Sequence, residues 1–202
     1  MKEVKKEETN VISLDAFKAD LKQKAGKIRN NNKITKIKAA TTRTLEIMYS
    51  KSSTEKYGRE TIHKGFEEML GKKYEKIQGL KEHVCEILEF PCDWVDMLTV
   101  TGISLNYDYQ NEFETAPLRG MVITMQKKNN GLNCPLNINT PFIKFGYYID
   151  NCTNFEGGDE AAWSDEVYDL INEIIDDACM YMAGETKTVQ TKLFPELETA
   201  SI

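Results

Sequence analysis

The sequence predicts an α+β protein: an N-terminal helical part of about four helices, followed by a small antiparallel sheet packed by a C-terminal acidic helix. Three observations predict this. Apolar residues recur at helical spacing as far as Pro91, alternate singly between Met97 and Lys128, and return to helical spacing after Ser164.

The elements follow in order. Residues 1–11 are charged and weakly patterned and read as a disordered arm. Ser13 has the character of an N-cap, and Leu14, Phe17, Leu21 and Ile28 form a helical stripe that Asn30-Asn31-Asn32 breaks. Ile34, Ile37, Thr41, Leu45 and Met48 share one side at helical period and predict a second helix. Ser52 and Glu55 have capping-box spacing, opening a third helix with Tyr57, Ile62, Phe66 and Leu70 on its apolar side and Gly71 at its end. A fourth runs from about Lys73 to Glu89, through Tyr74, Ile77, Leu80, Val84 and Ile87, and stops before Pro91.

Beyond it the period changes. Residues 97–109 alternate with Ile103, Leu105, Tyr107 and Tyr109 on one face, and residues 118–128 alternate through Met121, Ile123 and Met125. The turn Asn129-Asn130-Gly131 then leads to a short strand around Leu136 to Ile138. Ser164 caps the last helix, with Asp165 and Glu166 in its first turn and Trp163 and Tyr168 at staple positions. Val167, Leu170, Ile171, Ile174 and Cys179 face the sheet, and Gly184 closes the helix. The implied organisation is a disordered arm (1–11), a basic helical subdomain (12–90), an α+β subdomain (91–184) and a flexible tail (185–202).

Composition narrows the function classes. The 202 residues are 41% hydrophobic and 9% aromatic, without a long apolar run or an apolar signal core at Met1-Lys2-Glu3, so a cytoplasmic protein with no membrane contact is expected. Five scattered cysteines contain no Cys-x-x-Cys pair, which argues against a disulfide framework or a zinc ribbon. No phosphate-cradling Gly-rich loop, Gly-x-Ser-x-Gly elbow or His-Glu-x-x-His is present, so no catalytic residue, metal or cofactor is assigned and a non-enzymatic binding protein is expected. Charge is divided: residues 1–90 carry +6 and residues 91–202 carry −12, together the overall −6.

Three surfaces stand out. Nine basic residues and one acid lie between Lys18 and Arg43, and Lys33, Lys36, Lys38 and Arg43 are the candidate phosphate contacts for a nucleic acid. Asp165, Asp169, Glu173, Asp176 and Asp177 line the last helix opposite its apolar side. That stripe fits a solvated face, a helix docked on the basic N-terminal half, or a DNA-like surface occupying a host enzyme. The tail carries Gln190-Thr191-Lys192-Leu193-Phe194, in which Leu193 and Phe194 would fill an apolar pocket on a partner and Gln190 would fix register by hydrogen bonds.

The stretch from Met97 to Phe194 resembles a group of small phage and prophage accessory proteins. It has their paired alternating strands, Asn139-Thr140-Pro141, an acidic helix and the Gln-x-x-Leu-Phe peptide. The resemblance implies an accessory role in DNA replication or repair, within an infected or lysogenic bacterial cytoplasm. The partner it implies is a sliding clamp, held through Gln190, Leu193 and Phe194. A nucleic-acid-binding module built on residues 18–43 and an acidic DNA mimic are the alternative expectations.

Overall fold

The computed structural model describes residues 14–51, 60–108, 117–128, 134–146 and 161–189. The chain forms α1 (Leu14–Asn31), β1 (Asn32–Ala39), β2 (Leu45–Lys51), β3 (Glu60–Lys64) and α2 (Gly71–Ile87). A 3-10 turn (Cys92–Met97) leads into β4 (Leu98–Tyr107), and β5 (Leu118–Lys127), β6 (Leu136–Asn139), β7 (Ile143–Lys144) and α3 (Asp165–Met182) follow. All seven strands belong to one antiparallel sheet in the order β3-β2-β1-β4-β5-β6, with β7 alongside β5.

The fold is α+β, but the expected helical N-terminal part and small sheet are overturned. Two of the four helices form, α1 and α2. The segment assigned to the second helix is the β1–β2 hairpin, and β3 occupies the later part of the segment assigned to the third. Ser52, Glu55 and Tyr57 lie outside the described residues, as do the arm 1–11, Tyr109 and the turn 129–131. The sheet is consequently large, and β1 pairs with β4 at its centre, carrying it across residue 90.

A β-bulge explains the misleading period. Ile34 pairs with Tyr49 and Lys36 with Met48, so β1 holds one residue more than β2 between those pairs. The extra residue lets Ile34 and Ile37, three apart, point to the same side. Without it they would point to opposite faces. Three-residue apolar spacing is a helical signature in an ordinary segment, and here it belongs to a bulged strand.

The inward side chains form a row across five strands: His63, Ile47, Ile37, Ile103 and Ile123 stand opposite one another in turn. Its four isoleucines are at most 1% exposed. The buried sides of α2 (Tyr74, Ile77, Leu80, Val84) and α3 (Val167, Ile171, Ile174, Ala178) join the same hydrophobic cluster, as does Ala25 of α1. Met48, Ile62 and Val122, on the opposite face, lie outside that cluster. The described residues are therefore built in two layers, and among them helices cover one face of the sheet only.

Helix ends are specified locally. Ser164 Oγ accepts from Val167 N at 3.4 Å at the start of α3. At its other end Gly184 adopts φ 106°, and the N–H groups of Gly184 and Glu185 return to the carbonyls of Tyr181 and Met180. Asn32 Nδ2 donates to Ile28 O at 2.9 Å where α1 turns into β1. Gly71, expected to end a helix, instead opens α2. Thr140 of the Asn-Thr-Pro triplet has a structural role: its N–H donates to Ile123 O, and its Oγ1 accepts from Ile123 N at 3.0 Å.

Candidate functional site

The helix-free face of the sheet is defined by register. One row runs Lys64, Glu46, Lys38, Gly102, Thr124, Asn139 across six strands. The next runs Ile62, Met48, Lys36, Ser104, Val122. Lys33 stands opposite Ser50 on the same face, because the bulge restores its phase with Lys36 and Lys38. Three of the four basic candidates are thus brought onto one surface, bordered by small or polar side chains from β4 and β5.

Arg43 is not part of it. It lies in the β1–β2 turn at φ 61°, with its N–H donating to Ala40 O and its carbonyl accepting from Met69 N. Its guanidinium reaches the start of α2, where a Cβ on Gly71 would stand 3.6 Å away. There it opposes the effect of burial, which raises the Tyr74 phenol above its usual pKa. Gln190, Leu193 and Phe194 lie outside the described residues.

The lysines differ in setting. Lys38 bonds the Glu46 carboxylate, and Lys64 Nζ lies 3.7 Å from the other Glu46 oxygen. The Lys38 hydrogen bond, more than the nearby charges, holds Glu46 below the usual carboxylate range. Lys33 sits 5.5 Å from the Tyr107 ring centroid, and burial lowers its ammonium pKa. Lys36 forms no ion pair among the described residues. Beside Lys38 the surface sinks into a hollow of about 340 Å³ lined by Ala39, Leu45, Glu46, Lys64 and Phe66 among others. At the β5 end of the face, the Phe142 ring lies over Gly120, where an added Cβ would meet it at 2.8 Å. Arg119 stands 5.8 Å from that ring.

Part of the acidic stripe of α3 pairs with α1 and α2, whereas Asp165 and Asp169 stay exposed. Asp177 is 8% exposed and meets Lys73 Nζ at 2.8 Å and Lys76 Nζ at 3.1 Å. Glu173 meets Lys76 at 2.8 Å, and Asp176 meets Arg29 at 3.3 Å. Arg29 also donates to Asn172 Oδ1 at 3.0 Å, and Lys73 bonds Glu185 as well. This is docking on the basic half of the chain.

Sequence reasoning missed Gly102, Ser104, Thr124 and Asn139 as members of a surface. Their signal was present as the polar partners in the strand alternation, read only for its apolar half. Among the described residues no group of three His, Cys, Asp or Glu side chains is placed to hold a metal ion, and no helix is long and apolar enough to cross a membrane. The four described cysteines are free thiols, Cys85 and Cys179 buried and Cys92 and Cys134 exposed. Burial pushes the Cys179 thiol up to about 11, against the nearby Arg29 charge, which leaves it a poor nucleophile. No family model, no curated protein and no solved structure matches the chain.

Proposed function

We propose that the chain is a non-enzymatic nucleic-acid-binding protein that holds a sugar-phosphate backbone on the helix-free face of its sheet. The observation that carries this reading is the β1 bulge, which sets Lys33, Lys36 and Lys38 on one open surface. Small and polar neighbours, Gly102, Ser104 and Thr124, let a strand approach closely. Neither central row bears an aromatic ring, which favours phosphate contacts over base stacking and hence weak sequence preference. Phe142, 43% exposed beside Arg119, offers one stacking position at the end of the face. The internal pairing of Glu173, Asp176 and Asp177 weighs against a DNA-mimicking helix.

Fluorescence anisotropy with labelled single-stranded and duplex DNA tests this. Three phosphate contacts give a log–log salt slope of about −2 on a single strand and about −2.7 on duplex DNA. Lys36→Ser with Lys38→Ser should remove about two thirds of that slope. Binding indifferent to the pair, or no binding at low salt, would sink the reading.

A second docking site, the Gln190-Thr191-Lys192-Leu193-Phe194 peptide, is compatible with the first. Its root is fastened: Thr186 Oγ1 bonds the Glu67 carboxylate and Lys187 N donates to Glu68 O at 2.9 Å. A sliding clamp is the partner this peptide fits, which would make the chain a phage-type accessory protein of DNA replication or repair. Titration of a bacterial clamp should show micromolar binding that Leu193→Ala with Phe194→Ala abolishes. Equal binding by both proteins would remove the clamp from the account.

A further inference from the structure

Among the described residues β3 is an edge of the sheet, and its backbone polarity follows from one bond. Gly65 N donates to Leu45 O at 2.9 Å, continuing the β2–β3 register by one pair. Hydrogen-bonded pairs in an antiparallel ladder alternate. His63 and Thr61 therefore turn their N–H and C=O groups toward β2, whereas Glu60, Ile62 and Lys64 turn theirs outward. An outward row of this kind is a template for another strand. Apolar surface collects at the same edge: Ile62 is 50% exposed and Phe66, two residues past the strand, is 91% exposed.

The strand reads Glu60-Thr61-Ile62-His63-Lys64, and it is complementary to itself when reversed. We propose that β3 pairs antiparallel with β3 of a second copy of this chain, about a twofold axis at Ile62. Glu60 then lies opposite the partner's Lys64, and the same pair recurs across the axis, while the two Ile62 side chains meet in the centre. The register is selective. A shift by one residue sets outward backbone groups against inward ones. A shift by two sets Glu60 or Lys64 opposite Ile62 and loses both charge pairs. Only the Ile62-centred alignment satisfies the backbone and the charges together. A five-residue strand pair falls short of a standard interface, so the dimer is weak and depends on concentration.

Light scattering and sedimentation equilibrium of the full chain, from low-micromolar to near-millimolar protein, give the test. The expected result is a mass rising from 23.1 kDa toward twice that value. Glu60→Lys and Lys64→Glu, made singly, each place like charges opposite one another twice and should weaken association about tenfold. The double exchange restores the opposite pairing and should recover the original affinity. Circular dichroism at low concentration establishes that each variant is folded. A monomer at every concentration overturns the proposal and leaves the edge to a foreign strand or to solvent. So does a dimer indifferent to the single exchanges, or one that the double exchange fails to recover.

Discussion

Glu89 occupies a position where glycine is the favoured residue. It stands one residue past the C-cap of α2 at φ 52°, and Phe90 N returns to Cys85 O at 2.9 Å to close the helix. An L side chain there is strained, and a carboxylate at a helix C-terminus also opposes the helix dipole. Glu89→Gly should therefore stabilise the protein by about 0.5–1 kcal/mol, seen as a higher urea midpoint with an unchanged slope. His63 works in the opposite sense. It lies 6.3 Å from the Tyr181 ring, edge to face, and burial lowers its pKa below 6.5. Below 6.5 the unfolded chain takes up a proton that the folded chain resists, so stability falls as pH drops from 6.5 through the lower folded value. Urea unfolding between pH 5 and 8 should show that decline, and His63→Gln should flatten it.

Gln78 of α2 acts as a short piece of strand. Its Nε2 donates to Val100 O and its Oε1 accepts from Val100 N, both at 2.9 Å. Those backbone groups lie beside the β4 bulge, past the last β1 pair at Lys38 and Gly102, where none of the described strands continues the ladder. Gln78→Ala would orphan two groups of a residue that is 0% exposed, at a cost of about 2 kcal/mol in equilibrium unfolding. A loss below about 0.5 kcal/mol would show that something else serves Val100. Nothing in the sequence distinguishes Gln78 from its solvated neighbours, because its partner lies 22 residues away. What could be read was local. The stripes of α1, α2 and α3, the Ser164 cap and the alternation of β4 and β5 each follow from short-range spacing. The β1–β2 hairpin could not be read in this way, since the bulge at Ile34 and Lys36 imitates a helical repeat. The candidate face was half visible: Lys33, Lys36 and Lys38 were named, but the surface that unites them required the pairing of β1 with β4.

That pairing organises the whole molecule. β1 lies between β2 and β4, and its inward Ile34 and Ile37 are covered only once later segments are in place. A fragment comprising residues 1–90 should therefore fail to fold, giving no cooperative thermal transition and poorly dispersed amide resonances. A sharp transition in that fragment would show an independently stable half. The same arrangement bears on synthesis. Arg29 of α1 finds its partner Asn172 across a separation of 143 residues. At about 5–20 residues per second that stretch takes roughly 7–30 s to translate. For that interval α1 lacks the helix it packs on, although the hairpin gains α2 and β4 to bury against well before α3 is made. The side of α1 that meets α3 therefore stays exposed on the nascent chain until the last helix emerges, and slower elongation lengthens that exposure.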